Sequence, residues 1–395
     1  EDMAVILYTS GTTGQPKGVV LEQRNIAHNL RVLPPLVDMR SGDIWISILP
    51  PSHTFEQTAE LASFSVGCTT VYTDRRRLRD DLRKHRPHFF ASVPRIWETV
   101  RDGALSALGK KSPLVQKLFH FAYSSSQKWR AGNPLGLPGH WLGKAMFYRK
   151  IAAATGGRLK AAISGGGYLP PHVDEFFGII GVKLLVGYGL TETAPVIAIR
   201  RPHDNVLGTI GRAVDETEIR IFDKGTVQAR GPQIMRGYYK NPELTQAVLD
   251  NDGWFDTGDI ARMTDKGDLI FVGRAKETIV LSGGENIEPE PIENKLKESD
   301  LIDQVMLVGQ DRKTLAALVW PAEGSPRGGE LEGPLKTMFR ERTGTAGGFR
   351  SFEGVGRFAV IDEPLTPEGG LMTQTLKLKR NVIAEKYAEK IDALY

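Results

Sequence analysis

A loop rich in glycine and hydroxyl residues, with one lysine, follows the first apolar run of the chain. It reads YTSGTTGQPKG over residues 8–18, and its first two residues are the last two of the run MAVILYT at residues 3–9. Glycine lets backbone N–H groups approach phosphate oxygens, hydroxyls donate hydrogen bonds, and the Lys17 ammonium offsets negative charge. The spacing is not that of a Walker A loop, because Pro16 stands where the second glycine belongs and Gly18 follows the lysine. The segment predicts a polyphosphate-binding loop, with a polar turn as the alternative.

A second cluster with glycine follows another predicted strand. It reads GYGLTET over residues 187–193 and carries Glu192, a carboxylate suited to holding Mg²⁺ on phosphate oxygens, and Thr191, a hydrogen-bond donor. Upstream, SGGG at residues 164–167 ends a further predicted strand and permits close approach of a ligand. Open parallel sheets bind ligands beyond the carboxyl ends of their strands. Both clusters are therefore candidate ligand sites, and turns needed only for chain reversal are the alternative.

Two later segments carry charge that suits a nucleotide. GWFDTGD at residues 253–259 ends in Asp259, which can accept hydrogen bonds from a ribose diol, and Arg274 lies fifteen residues further on. Near the end of the chain, TQTLKLKR at residues 373–380 is a cationic loop before the last predicted helix. Taken singly, a turn aspartate, a surface arginine and a solvated basic loop are the alternatives.

The hydrophobic pattern predicts the scaffold that positions these segments. Short apolar runs alternate with helical patterns from residue 3 to about 190, which predicts crossover units and a mostly parallel sheet with both faces covered. From 206 to 274 short alternating strands and tight turns take over, and an α+β stretch then ends in a helix at about 381–394. The predicted strands are 3–9, 43–50, 69–73, 88–93, 159–164 and 182–187, and the predicted helices are about 22–33, 55–64, 77–86, 94–108 and 171–178, with a helical insertion at 109–150.

Composition limits the class of protein. The 395 residues include 51 Lys and Arg against 47 Asp and Glu, and a net charge of +4 gives no argument for nucleic-acid binding. The 41% hydrophobic and 25% charged content excludes a mainly disordered or collagen-like chain. Cys68 is the only cysteine, which fits a reducing compartment, and we expect a cytoplasmic location. Peripheral membrane contact is left open, because no strongly amphipathic helix stands out.

In this order, the motifs resemble the adenylate-forming superfamily of acyl-CoA synthetases, adenylation domains and luciferases, and the match covers nearly the whole chain. The phosphate loop is its most specific element, and GRAKETIVLSGGENIEP at 273–289 adds a further one. Within the superfamily the sequence is similar to the long-chain fatty acyl-CoA synthetase branch, through LPPSHTFE at 49–56, SVPRIWE at 92–98 and GGENIEPEPIE at 283–293.

The resemblance implies a multilayered α/β adenylate-forming fold, with mostly parallel sheets flanked by helices and a mobile C-terminal domain. The implied domains are an α/β part of the large adenylation domain at 1–205, its β-rich subdomain at 206–275 and an α+β swivel domain at 276–395. The family's region upstream of the phosphate loop is absent from this sequence, so we expect the chain alone to be weakly stable and to have little activity.

The activity implied is that of an ATP-dependent long-chain fatty acid–CoA ligase. A fatty acid and ATP give acyl-adenylate and pyrophosphate, and the CoA thiol then gives acyl-CoA and AMP, with Mg²⁺ as the metal. The alternatives are an acyl–acyl carrier protein synthetase with the same first step, and an inactive homologue that binds nucleotide or acyl chains. The expected partners are these small molecules and, in the second case, the carrier protein.

The resemblance also assigns roles by position. Lys377 would bridge the carboxylate and the α-phosphate, with Lys379 as the alternative because Leu376 replaces the family's glycine; Arg380 keeps the K-x-x-R spacing that favours Lys377. His53 would sit at the acyl pocket, with a core or loop histidine as the alternative. The remaining assignments are β- and γ-phosphate contacts by Thr9, Ser10, Gly11, Thr12, Thr13, Gly14 and Lys17, nucleotide contacts by Gly165, Gly166, Tyr188 (beside adenine) and Gly189, the α-phosphate by Thr191, Mg²⁺ by Glu192, ribose by Asp259 and Arg274, the hinge by Lys276, and the thiol channel by Gly283, Gly284 and Glu285.

Overall fold

The computed structural model describes residues 2–10, 16–326, 328–366, 369–373 and 378–395. The strands among them are β1 (Met3–Ser10), β2 (Pro16–Glu22), β3 (Ile44–Ser47), β4 (Thr69–Tyr72), β5 (Phe89–Ser92), β6 (Ala161–Ser164), β7 (Leu184–Gly189), β8 (Val196–Ile199), β9 (Arg212–Ala213), β10 (Glu218–Ile221), β11 (Thr226–Arg230), β12 (Gly237–Tyr238), β13 (Phe255–Met263), β14 (Leu269–Arg274), β15 (Ile279–Val280), β16 (Asn286–Ile287), β17 (Ile302–Val308), β18 (Leu315–Pro321) and β19 (Val355–Val360).

The helices among the described residues are α1 (Gln23–Leu36), α2 (Thr54–Ser65), α3 (Leu78–His85), α4 (Pro94–Gly109), α5 (Pro113–Arg130), α6 (Leu137–Gly143), α7 (Arg149–Ala153), α8 (Pro171–Ile180), α9 (Pro242–Gln246), α10 (Pro289–Leu296), α11 (Gly329–Arg342), α12 (Arg380–Lys386) and α13 (Ala388–Asp392). Within the described ranges, none of the helices is long and apolar enough to cross a bilayer.

A seven-stranded sheet forms the centre of the first half of the chain, in the order β4-β3-β5-β6-β7-β8-β9. The strands from β4 to β7 pair in parallel, and β8 and β9 pair antiparallel. Successive side chains of a strand point to opposite faces. Phe89 and Ala91 accordingly join the core under α1 and α2, whereas Phe90 joins the core that contains Trp97 of α4 and Phe177 of α8. The prediction of a mostly parallel sheet with both faces covered is confirmed.

The sequence pattern predicts that the first strand belongs to the parallel sheet. This prediction is wrong, because β1 lies outside that sheet. β1 pairs antiparallel with β2, and β12 pairs with the other edge of β2, so these strands make a separate three-stranded sheet. The missed element is β2, because residues 16–18 had been assigned to the phosphate loop. Its short apolar run is nevertheless buried, with Val19 and Leu21 at 0% exposure. The phosphate loop therefore connects the two strands of a hairpin.

The β-rich stretch, for which the alternating pattern predicts short strands and tight turns, forms an antiparallel sheet in the order β10-β11-β13-β14. A tight turn at Asp223–Gly225 joins β10 to β11. In the pairing of β13 with β14, Asp259 stands directly opposite Arg274. Two residues fifteen apart in sequence are thereby brought side by side.

The last part of the chain is an α+β unit built on the sheet β17-β18-β19. Helices α10 and α11 pack on one face, and α12 and α13 pack on the other. The single helix expected at 381–394 is wrong, because the helix is interrupted at Tyr387. Its predicted apolar face is confirmed: Ile383 and Tyr387 are buried, and Ile391 packs against the same cluster. An ion pair of 2.8 Å between Asp303 of β17 and Arg95 of α4 connects this unit to the first half.

Candidate active site

Tyr188, Asp259 and Arg274 form a polar triad where two sheets meet. Tyr188 lies near the end of β7, and its hydroxyl donates a hydrogen bond of 2.8 Å to Asp259 Oδ2. Arg274 Nε lies 3.2 Å from the other carboxylate oxygen, Oδ1. The structure thus joins the two residues assigned to the ribose with the residue assigned to the adenine.

The surroundings of the triad keep Tyr188 and Arg274 protonated. Burial, and next the Asp259 carboxylate, raise the pKa of Tyr188 well above its usual value, so the hydroxyl remains a donor at neutral pH. Burial alone would lower the pKa of Arg274, but Asp259 and more distant carboxylates raise it overall. The Asp259 carboxylate is only 2% exposed and lies between two donors. Its orientation is therefore set before any ligand arrives.

A second cluster connects the phosphate loop to Glu192. The Tyr238 hydroxyl donates a hydrogen bond of 2.9 Å to Glu192 Oε1. The Lys17 ammonium lies 5.4 Å from the centroid of the Tyr238 ring, within cation–π range. Met235 N–H donates to the Glu192 carbonyl at 2.8 Å, which fixes the backbone of the turn after β7. The two charged residues assigned to phosphates and metal thus share one neighbour.

Tyr238 is a site residue that sequence reasoning missed. It lies on β12, opposite Val19 of β2, so the pairing of these strands brings it to the end of β2 that carries Lys17. Burial, and next the Glu192 carboxylate, raise the pKa of its hydroxyl, which stays a donor. The only signal in the sequence was the Gly-Tyr-Tyr run at 237–239, which by itself predicts no contact with Glu192.

The hydrogen bonds of the Glu192 carboxylate determine whether it can bind Mg²⁺. Its Oε2 atom makes no hydrogen bond to any residue of the described ranges, while Oε1 is held by Tyr238. Across those ranges no group of three or more His, Cys, Asp or Glu side chains could hold a metal ion by itself. Mg²⁺ is commonly bound by one or two carboxylates together with substrate phosphates. Glu192 therefore fits a Mg²⁺ ion that is bound together with a polyphosphate.

The start of α2 approaches the same strand ends. His53 precedes the helix and is exposed, and Thr54 Oγ1 donates to Thr191 Oγ1 at 3.3 Å. A Cβ atom on Gly165 would lie 3.1 Å from the ring of Phe55, so this glycine lets the loop after β6 pack against α2. His53 is therefore the sequence neighbour of Thr54, which contacts Thr191. Gly166 follows in a left-handed conformation, with φ of +74°.

Gly189 is required by a close backbone contact. A Cβ atom on this residue would lie 1.7 Å from the carbonyl oxygen of Pro195. That carbonyl accepts a hydrogen bond of 3.1 Å from Leu190 N–H, which holds the turn after β7. The glycine thereby positions the turn that carries Thr191 and Glu192.

Several predicted residues lie outside the described residues. These are Lys377 and the phosphate-loop residues Gly11, Thr12, Thr13 and Gly14; the side chain of Ser10 also lies outside the description. The ends of the hairpin are described, and Thr9 stands opposite Lys17 in its register.

The residues predicted for the hinge and the thiol channel lie in the turns that follow β14 and β15. Lys276 is exposed in a turn directly after β14, where Glu277 N–H donates to the Arg274 carbonyl at 2.8 Å. Gly283, Gly284 and Glu285 form the turn between β15 and β16, and Gly284 has φ of +88°.

Arg380, at the end of the basic segment, is held by two carboxylates. Its Nε atom lies 3.0 Å from Glu277, and it also forms an ion pair with Glu293 of α10. Burial alone would lower the pKa of Arg380, but these carboxylates raise it. The K-x-x-R segment therefore ends at a fixed anchor beside the turn of Lys276.

Glu56 is a second residue that sequence reasoning did not single out. Its side chain is 1% exposed, and within the described residues neither carboxyl oxygen has a hydrogen bond of good geometry. Burial raises the pKa of Glu56 to about 7, although Ser47 and the backbone of Leu49 act in the opposite direction. Ser47 and Leu49 also line a cleft of about 310 Å³ at the ends of β3 and β4. The carboxyl group thus lies behind a wall of this cleft.

The profile of the AMP-binding enzyme family matches residues 1–239, and the profile of the AMP-binding enzyme C-terminal domain matches residues 276–337. The fold described above is that of an adenylate-forming protein, in agreement with these matches. The chain belongs to the AMP-binding enzyme family.

Curated proteins similar to the chain are named as acyl-activating enzymes and long-chain fatty acid ligases. It is 38% identical to the probable acyl-activating enzyme 16, chloroplastic, of Arabidopsis thaliana, over 100% of this chain and 64% of that protein. It is 38% identical to the long-chain-fatty-acid–[acyl-carrier-protein] ligase AEE15, chloroplastic, of the same plant, of which it covers 62%. It is 32% identical to the long-chain-fatty-acid–CoA ligase FadD15 of Mycobacterium tuberculosis, of which it covers 69%. The chain thus spans less than two thirds of the first two relatives.

Solved structures show the same fold. The adenylation domain of a carboxylate reductase from Mycobacterium chelonae superposes with a TM-score of 0.76 at 25% identity, over 100% of this chain and 60% of that one. ATP-bound MatB from Rhodopseudomonas palustris gives a TM-score of 0.72 at 22% identity, over 98% and 68% of the two chains. The prediction of an adenylate-forming fold is confirmed.

Proposed function

We propose that this chain is the catalytic part of an ATP-dependent ligase that joins a long-chain fatty acid to the thiol of CoA. The observation that carries the proposal is that two clusters lie at β7 and the turn that follows it: Tyr188 of β7 with Asp259 and Arg274, and Glu192 of the turn with Tyr238 and Lys17. The first suits a nucleoside and the second suits a polyphosphate with its metal. The similarity to long-chain fatty acid ligases supports the choice of acid.

In the first step a carboxylate oxygen of the fatty acid attacks the α-phosphorus of ATP. The bond from that phosphorus to the bridging oxygen breaks, and pyrophosphate leaves with the electron pair. Positioning and charge compensation govern such displacements. We assign Lys17 to the leaving phosphates, Glu192 to the Mg²⁺ ion that offsets their charge, and Lys377 to the oxygens of the carboxylate and the α-phosphate.

In the second step the thiolate sulfur attacks the acyl carbon, and AMP leaves as the thioester forms. The lysine of the first step must then make room for the thiol. We propose that residues 276–395 swing about Lys276, exchanging Lys377 for the turn at Gly283–Glu285. The exposed position of Lys276 directly after β14 supports this hinge.

ATP–pyrophosphate exchange with the full-length protein tests the first step. We expect exchange that depends on the fatty acid, rises with chain length and is negligible with acetate. Lys377→Ala should reduce exchange by about 100-fold or more, since it removes charge stabilisation at the reacting phosphorus. Lys379→Ala is the matched control and should retain most of it. Exchange that no carboxylic acid stimulates would refute the proposal, and a loss confined to Lys379→Ala would transfer the role to that lysine.

The acceptor thiol has a second candidate, acyl carrier protein, because a relative with 38% identity is named as a ligase for that acceptor. Both candidates share the adenylation step. Supplying the enzyme with fatty acid, ATP and either CoA or the pantetheinylated carrier protein, and measuring the thioester, separates them. Thioester with CoA alone supports the proposal, and thioester with the carrier protein alone supports the second candidate.

A further inference from the structure

The helical insertion has a distribution of charge unlike the rest of the chain. Residues 103–173 contain no aspartate or glutamate, although Asp and Glu nearly balance Lys and Arg over the whole sequence. The same segment carries ten Lys and Arg residues, eight of them between residues 110 and 150. All eight are exposed. The insertion is thus a strongly cationic surface, which attracts anionic partners.

Helix α5 presents apolar and cationic side chains on one outward stripe. Leu114, Lys117, Phe121 and Lys128 follow each other at spacings of three, four and seven residues, which places them on one face of a helix. Leu114 is 68% exposed and Phe121 is 58% exposed. The opposite face is buried, for example at Phe119. The apolar residues of the stripe are therefore not part of the protein core.

Helix α6 and the turn before it extend this surface. Leu135 is 84% exposed and Trp141 is 63% exposed, and the Lys144 ammonium lies 5.4 Å from a Trp141 ring centroid. A Cβ atom on Gly139 would lie 2.3 Å from the side chain of Ser125 on α5, and 3.4 Å from the ring of Phe121. Because this glycine lets α6 approach α5 so closely, the exposed residues of the two helices form one continuous surface.

Three lysines of this surface pair with no carboxylate among the described residues. In the described part of the chain, Lys117, Lys128 and Lys144 form no ion pair with a carboxylate, whereas Lys160 of the same acid-free segment pairs with Asp43 at 2.8 Å. Their charge is consequently available to an external anion.

We propose that the surface formed by residues 110–150 docks the protein on an anionic lipid bilayer. Exposed Trp, Phe and Leu side chains insert at the boundary between headgroups and acyl chains, and nearby lysines bind the lipid phosphates. An acidic protein is the competing partner. The lipid is favoured because protein interfaces are depleted in lysine, and because Leu135, the most exposed large apolar side chain of the described residues, carries no hydrogen-bonding group. The proposal stands independently of the catalytic one, since bilayer binding is measured without turnover.

Co-sedimentation of the full-length protein with vesicles tests this surface. The vesicles are phosphatidylcholine alone, or equal parts of phosphatidylcholine and phosphatidylglycerol. Binding should favour the anionic vesicles and weaken as salt is added. The double variant Leu135→Ser, Trp141→Ser should bind both kinds at least about 10-fold more weakly, because the inserted apolar area is lost. The triple variant Lys117→Gln, Lys128→Gln, Lys144→Gln should lose about 100-fold on anionic vesicles.

The matched control removes three charges from α3 and its approach, in Arg76→Gln, Arg79→Gln, Lys84→Gln. That segment is also basic, but it includes Asp80 and Asp81, and its apolar residues Leu78 and Leu82 are buried. It should bind vesicles nearly as the wild type does. An equal loss in the control would overturn the proposal, as would wild-type binding by the apolar variant.

Two further readouts exclude other occupants of the surface. Melting temperatures should not change in either variant, and a fall without any change in vesicle binding would mean that the surface packs against protein. The lysine variant is also tested for binding to pantetheinylated acyl carrier protein. Loss of carrier binding with vesicle binding retained would assign the surface to an acidic protein instead.

Discussion

Tyr238, on the three-stranded sheet, donates a hydrogen bond of 2.9 Å to Glu192, in the turn that follows β7 of the seven-stranded sheet. The bond holds one oxygen of the carboxylate and directs the other away from the tyrosine. The same tyrosine ring lies 5.4 Å from the Lys17 ammonium. One side chain thus positions both of the charged groups that we assign to the triphosphate and its metal.

Replacing Tyr238 with phenylalanine should weaken the binding of Mg²⁺ in the reaction. Partners that orient a metal ligand commonly contribute 10- to 100-fold in affinity. We expect Tyr238→Phe to raise the Mg²⁺ concentration for half-maximal ATP–pyrophosphate exchange by about 10-fold, with a smaller change in the maximal rate. Tyr239→Phe is the control, because this neighbour is 43% exposed and should leave the requirement unchanged. An unchanged Mg²⁺ requirement in Tyr238→Phe would remove the positioning role.

The parallel part of the central sheet, from β4 to β7, could be predicted from the sequence because each of these strands carries a local signal, whereas the antiparallel strands β8 and β9 were not predicted. Phe89 to Ser92 is a short apolar run between helical patterns, and burial on both faces requires that composition. The same reasoning missed β2, because its apolar run at residues 19–21 is only three residues long and directly follows the glycine-containing loop. The helix break at Tyr387 was also missed, since Tyr387 itself fits the helical apolar face.

The candidate site could be predicted only where its residues belong to a motif. Glu192 and Asp259 each lie in one, but the partner of Glu192 is 46 residues away and reaches it through the pairing of β12 with β2. No local pattern encodes that pairing. Glu56 illustrates the other difficulty: a carboxylate on a helix is ordinarily exposed, and only the packing of α2 against the sheet buries it.

Glu56 should make the protein less stable as the pH rises. Its pKa in the folded state is about 7, above the ordinary value of 4.5, so its favourable contribution is complete below pH 4.5 and is lost as the pH rises through 7. The shift corresponds to about 2 to 3 kcal/mol between pH 5 and pH 8. The free energy of unfolding in urea should therefore fall by about this amount between pH 5 and pH 8 in the wild type. In Glu56→Gln this part of the fall should be absent.

The control for this effect is Glu60→Gln, one helical turn further along α2. The Glu60 side chain contacts the exposed Tyr72 hydroxyl instead of entering the core. It should keep most of the wild-type pH dependence, because the Glu60 carboxylate is the smallest of the influences that raise the pKa of Glu56. If the stability of Glu56→Gln falls between pH 5 and pH 8 as steeply as that of the wild type, the buried carboxyl is not the cause.

Two glycine substitutions should have opposite effects on stability. Gly189→Ala places a Cβ atom 1.7 Å from the Pro195 carbonyl oxygen, so the backbone of the turn must move. We expect a loss of about 3 kcal/mol in the free energy of unfolding, together with impaired exchange activity, because Thr191 and Glu192 shift with the turn. Gly103→Ala, in α4 with no atom within 4 Å, should instead stabilise the protein by about 0.5 to 1 kcal/mol. Equal effects of the two would contradict the steric argument.

Arg380 should be essential to the stability of the C-terminal unit. Glu293 is 5% exposed, accepts a hydrogen bond of 2.6 Å from Leu307 N–H and depends on Arg380 for charge compensation. Removing one partner of a buried pair leaves an uncompensated charge, so Arg380→Ala should cost about 3 kcal/mol in urea unfolding. Arg380→Lys should recover only part of this, because one ammonium cannot match the fork that contacts both Glu277 and Glu293.

The control for Arg380 is Lys386→Ala, in the same helix. Lys386 forms an exposed ion pair with Glu363, and such pairs contribute about 0 to 1 kcal/mol. If both alanine variants lose the same small amount, Arg380 is no more than a surface residue. If only Arg380→Ala unfolds early, the segment that carries Lys377 ends at a rigid anchor. A swing that moves Lys377 must then carry α10 and Glu277 with it as one body, because the anchor joins all three.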